Sequence, residues 1–190
     1  MKPSALPLLV VAISALAVAP APGQVSSRSV LPHAGPGDAS GRQNGPDRDF
    51  AMAVAVFSKF SVIAGQVAMI ETRDGRLKDF AELMVKDHTA ALARLRSIAG
   101  RSSIALPAVI GPDDAYRAKI AAVQKRTGAA FDRAYCTQQM GALQDAEVLL
   151  QSYARTGGNA RFRSWARKMI GLVQQHQRQL SEIASDGDRS

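Results

Sequence analysis

From Asp47 onward, apolar residues recur every three or four positions, the repeat of an α-helix that buries one face. Asp47 or Asp49 can cap a first helix whose apolar positions are Phe50, Val54, Phe57, Ile63, Val67 and Ile70. Arg73-Asp74-Gly75 breaks it. A second helix from about Arg76 to Ala99 carries the clearest stripe in the chain: Leu77, Phe80, Met84, His88, Ala91, Leu95 and Ile98, ended by Gly100. Leu106-Pro107 and Gly111-Pro112 mark a loop, and Asp113 caps a short helix reaching about Arg126. Gly128 allows a break before a third long helix with Phe131, Tyr135, Ala142, Ala146, Leu149 and Tyr153. Gly157-Gly158 separates it from a last helix striped by Phe162, Trp165, Met169, Val173, His176, Leu180 and Ile183. No stretch alternates apolar and polar residues over a strand's length, so the reading is all-α. Four long stripes joined by mostly short breaks predict an antiparallel four-helix bundle, with a short extra helix between the second and third long ones.

The first residues carry a different pattern. Met1 and Lys2 form a short positive region, Leu6 to Ala19 an apolar run, and Ala19-Pro20-Ala21-Pro22-Gly23 a small-residue stretch of the kind signal peptidase accepts. Cleavage after Gly23, with Ala21 at the −3 place, keeps proline away from the position just past the cut. The rival reading is a retained anchor, but the run is shorter than the roughly 20 residues a spanning helix needs and is punctuated by prolines. No other segment is expected to cross a membrane. Residues 24–46 are rich in Ser, Gly, Pro and Asn and nearly free of apolar residues, so they cannot bury enough surface to offset their ordering entropy. The expected organisation is a signal peptide over 1–23, a disordered tether over 24–46 that includes a lone His33, and a bundle domain over 47–186. The protein is expected in the periplasm or secreted.

Composition refines this picture. Aromatic residues are only 5% of the chain and many apolar positions are alanine, which suits helices packed closely through small side chains. With 24 Lys and Arg against 16 Asp and Glu, the net charge is +8, and loss of Lys2 with the leader would lower it by one. Most of these cations are arginines spread along the chain near acids, the pattern of a solvated surface. Cys136 is the single cysteine, so no internal disulfide or cysteine-based zinc site can form. Its place in a helix beside Tyr135 predicts burial.

The ordered residues also resemble a known family. Phe80-Ala81, Met84 and Asp87-His88 follow an "FA..M..DH" motif, Phe131-Asp132 with Tyr135 follow "FD..Y", and His176 supplies a late helical histidine. This set resembles the bacterial family of domain of unknown function 4142, over roughly Phe50 to Ala184. The resemblance implies a ferritin-like four-helix bundle, exported to the periplasm or cell envelope, without an established activity and with histidines and acids projecting into the interior. Where the family often has Glu early in the first helix this chain has Ser61. Where the family often has His in the third helix it has Leu143, followed by Gln144 and Asp145.

The candidate chemistry centres on two histidines. A ferritin-type di-iron centre needs a Glu three residues before a ligating His on each of two helices. Here those places hold Val85 before His88 and Val173 before His176, which argues against di-iron chemistry of that kind. A leaner site is conceivable: His88 and His176 on core-facing stripes, with Asp87 and Asp145, could hold zinc or another divalent metal. The plainer reading needs no cofactor: each imidazole is buried and neutral, satisfied by a neighbour such as Asp87, Tyr135 or Tyr153. The chain has no glycine-rich phosphate loop, nucleophile elbow or Cys-X-X-Cys pair.

Arg161, Arg163, Arg167 and Lys168 interleave with Phe162 and Trp165. They could face an anionic envelope polymer or lipid, although an ordinary amphipathic helix also explains them. Nucleic acid is not an expected partner of an exported protein. The leading expectation is therefore a non-enzymatic envelope protein acting by binding or structure, with a divalent-metal protein or metal-dependent enzyme as the alternative.

Overall fold

A computed structural model describes residues 38–187, with side chains described over 45–186, and these residues form five α-helices and no strand. The expected signal peptide and most of the expected tether lie outside the described residues. The helices are α1 (Asp38–Glu71), α2 (Gly75–Arg101), α3 (Asp114–Gln124), α4 (Gly128–Thr156) and α5 (Ala160–Gly187).

Local chemistry sets most of the boundaries. Asp74 caps α2 by accepting hydrogen bonds from the backbone N–H groups of Arg76 and Leu77, and Asp113 caps α3 through that of Tyr116. Each satisfies donors that a helix start leaves open. Gly128 begins α4 with φ +54°, a conformation that suits a residue without a Cβ.

The start of α1 differs from the sequence expectation. The helix begins at Asp38, so residues 38–46 of the expected tether are helical and Pro46 lies inside the helix. Extending an existing helix needs no new nucleus, and Pro46 removes only one bond from the ladder. Composition alone does not register that cooperativity.

The four long helices pack in the cyclic order α1, α2, α5, α4. Three-residue breaks turn α1 into α2 and α4 into α5, which makes each pair antiparallel. Asp47, early in α1, meets Tyr153, late in α4, and Arg76, early in α2, meets Asp186, late in α5. The remaining neighbours are thus antiparallel too. The connection from α2 to α4 must return along the length of the bundle, and α3 lies within it, packed on α1 and α4. The Tyr116 ring of α3 stacks on Phe60 of α1 at 4.3 Å.

The core combines aromatic rings with a seam of small residues. Ala51, Ala55, Ala64 and Ala68 of α1 and Ala81 of α2 are buried. A Cβ on Gly65 would come within 2.9 Å of the Ala81 carbonyl oxygen and of Val85, so only glycine permits this approach of α1 to α2. The buried face of α1 runs through Phe57, Phe60, Ala64 and Ala68, whereas Ile70 is 80% exposed. This corrects the expected stripe at Ile70, while Ile63 and Val67 are half-buried, Val67 against the core. Because α1 is apolar almost all round, periodicity could not select its inner face. For the same reason Gly45–Glu71 is long and apolar enough to cross a membrane, contrary to the sequence expectation. Just over half of its most apolar window (56%) is buried inside the bundle.

Candidate metal centre

The stripe of α2 points His88 into the core, and that of α5 does the same for His176; both are fully buried. Their ring centroids lie 5.6 Å apart with the planes inclined at 50°. Phe57 stands edge-on to His88 at 5.0 Å, and Phe80 edge-on to His176 at 6.1 Å. The rings therefore face each other across the α2–α5 seam in an apolar surround.

Their hydrogen bonding is unequal. His176 Nε2 lies 3.0 Å from Asp87 Oδ2. A carboxylate only accepts, so the neutral ring donates from Nε2 and keeps its lone pair on Nδ1. That Nδ1 is buried without a partner. His88 has no partner on either nitrogen. Burial, reinforced by the neighbouring His176, lowers the His88 pKa to about 3. Burial also lowers that of His176, while the hydrogen bond and charge of Asp87 work in the opposite direction. Both imidazoles are neutral at physiological pH, the form that offers a lone pair to a metal.

Asp87 follows α2 toward the partner helix, so its imidazole is His176 and not its chain neighbour. Asp145 does not join the pair: it is exposed on α4, and its charge acts on Tyr116, whose phenol is raised to about 12 mainly by burial. Tyr135 and Tyr153, named as natural partners for the histidines, do not satisfy them. The Tyr135 hydroxyl is itself buried and unpaired, and Tyr153 donates to Asp47. Ser61 and Leu143, at places where the resemblance expects Glu and His, are both fully buried. Ser61 Oγ spends its donor on the Phe57 carbonyl, 3.1 Å away. Among the described residues no group of three or more His, Cys, Asp and Glu converges in a way that could hold a metal. What the fold assembles is a pair of imidazoles with one carboxylate behind it.

Gln139 was missed by the sequence reading. It is fully buried on α4 with both amide ends unpaired. Its place four residues after Tyr135 and three before Ala142, on the apolar stripe, was the available signal. Of the basic set on α5, Arg163 donates to the carbonyls of Gly157 and Gly158 at 2.6 and 2.9 Å, while Arg161, Arg167 and Lys168 are exposed. Cys136 is buried and free, as expected.

An all-α bundle enclosing two neutral imidazoles is the class of protein that these features define. The chain matches the family described as Domain of unknown function (DUF4142) over residues 33–183, and it belongs to that family. Among solved structures it is similar in fold to "CopM in the Cu(II)-bound form", with a TM-score of 0.62 and 14% sequence identity. That likeness covers 74% of this chain and 96% of the other. No curated protein matches the chain.

Proposed function

We propose that this is an exported, non-enzymatic, ferritin-like bundle protein that binds one metal ion between His88 and His176. The observation that carries the reading is the unpaired state of His88. A buried polar group left without a hydrogen bond costs about 1–3 kcal/mol, and this ring leaves both nitrogens so, beside a third unpaired nitrogen, Nδ1 of His176. A metal between the rings would engage one nitrogen of each. Two metal–nitrogen bonds of about 2 Å place ring centroids roughly 6 Å apart, close to the 5.6 Å found. Asp87 then acts as carboxylates commonly do behind a ligating histidine, fixing the tautomer and the orientation of His176.

Two protein ligands are fewer than the three or four of a typical zinc site. The reading therefore favours an imidazole-seeking ion that accepts few protein ligands, with copper ahead of zinc. The fold similarity to a protein seen with Cu(II) is consistent with this order. The crossover between α2 and α4 supports the ferritin-like arrangement, since such folds carry one long connection of this kind. Export after cleavage following Gly23 supplies the compartment, and N-terminal sequencing of mature protein reads the cut directly.

The test is metal content and titration of purified protein with copper and zinc. One equivalent of copper is expected in wild type and none at this site in a His88→Ala/His176→Ala variant that keeps its helical circular dichroism. Unchanged stoichiometry and affinity in that variant would sink the proposal.

A further inference from the structure

The charge around the imidazole pair restricts the ion further than the number of ligands does. Both rings are fully buried, with Phe57 and Phe80 edge-on to them. The one carboxylate bonded to either ring is Asp87, which touches His176 Nε2 at 3.0 Å and is itself 23% exposed. Asp145 is turned to solvent on α4, and among the described residues no larger group of acids and histidines converges. A bound ion therefore brings its charge into an apolar place where a single negative charge stands behind one ligand. A monovalent ion and the Asp87 carboxylate sum to zero. A divalent ion leaves one positive charge uncompensated. The cost of moving an ion out of water rises with the square of its charge, and it amounts to several kcal/mol per ion even after the protein relaxes.

A soft donor stands next to the pair in the fold. Met84 is fully buried on α2, four residues before His88, and residues at that spacing share one helix face. A helical side chain leans toward the N-terminal end of its helix, so the His88 ring lies over the turn that carries Met84. Thioether sulfur selects Cu(I), and imidazole suits copper in general.

We infer that the pair is built for monovalent copper, Cu(I), held by His88 and His176 with the Met84 thioether as a third donor. This rests on the metal reading above and narrows it to one oxidation state. The ion is taken up already reduced, so no electron transfer by the protein is involved.

Anaerobic competition of the full chain against the Cu(I) chelator bicinchoninate, beside calorimetric titration with Cu(II) and Zn(II), tests this. Cu(I) should bind with one equivalent and at least about a hundredfold more tightly than Cu(II), with Zn(II) weakest. A hundredfold preference raises the reduction potential of the bound copper by about 120 mV over the free ion, which a redox titration of the Cu(II) paramagnetic resonance signal reads. Met84→Leu nearly keeps the side-chain volume. It should weaken Cu(I) about tenfold and leave Cu(II) unchanged. Cu(II) bound by the two histidines as tightly as Cu(I) would overturn the inference and leave the metal site standing. Unchanged Cu(I) affinity in Met84→Leu would strike that residue from the site. No copper in either oxidation state, or equal binding by the His88→Ala/His176→Ala variant, would be a failure of the site itself and would take the inference with it.

Discussion

Two buried polar clusters in this bundle are built on opposite principles. At one end, Asp47 of α1 is 5% exposed yet well supplied with donors. It accepts from the Tyr153 hydroxyl and from the Asn159 backbone N–H at 3.3 Å. Phe50 stacks on the Tyr153 ring at 3.7 Å. A Cβ on Gly158 would press against the Asp47 carboxylate at 3.2 Å, and one on Gly157 would enter the Tyr153 ring. The cluster ties α1 to the α4–α5 turn. Midway along the α2–α5 seam, by contrast, three imidazole nitrogens are buried without a bond. A satisfied buried network specifies structure, while an unsatisfied one is a cost that a bound ligand can offset. The difference separates a staple from a candidate site.

The largest expected effect is on the imidazole side, under acid. Because the folded-state pKa of His88 is depressed to about 3 from an ordinary 6.5, the unfolded chain takes up the proton first. Its contribution to stability is full above about pH 6.5 and is lost as pH falls toward 3, with a slope approaching 1.4 kcal/mol per pH unit. His176 shifts in the same direction. Denaturant melts of metal-free protein between pH 7 and 4 should show the loss, and a smaller one in His88→Leu. Equal acid sensitivity in the two proteins would mean that the imidazole is not neutral and buried.

Next is the staple. Tyr153→Phe keeps the ring stack but takes a donor from a buried carboxylate, and should cost about 2 kcal/mol at neutral pH. A change in denaturation midpoint below a few tenths of that would put the cluster on the wrong side of the comparison. The smallest effect has the opposite sign. His88→Leu keeps an approximate volume and removes two unpaired nitrogens, so metal-free protein should gain about 1 kcal/mol while losing the metal. If it is destabilised by as much as Tyr153→Phe, His88 is structural after all.

Much of the architecture was legible because helical periodicity needs only neighbours in sequence. Every stripe position named on α2 is buried, from Leu77 to Ile98, and the caps at Asp74 and Asp113 are local interactions. Where periodicity carried no contrast it misled. On α1 apolar residues lie on all faces, and Ala64, Gly65 and Ala68 face inward in place of Ile70 because small residues let α2 approach. The site was legible in its members but not in its pairing. Asp145 lay close enough to an apolar stripe to enter the candidate set, yet its side chain turns to solvent. Gln139 lies on a stripe, but one polar residue among apolar neighbours gives periodicity nothing to distinguish it by.

The sequence by itself determined that the region from about Asp47 onward is helical, where the main breaks fall, and that His88 and His176 lie on buried faces, since each of these follows from local capping and from spacing along a single helix. Only the tertiary structure decided that the two rings come 5.6 Å apart, that Asp87 serves His176, and that the nitrogens of His88 have no partner. Those facts depend on the register and rotation of α2 against α5, which arise from packing between helices far apart in the chain.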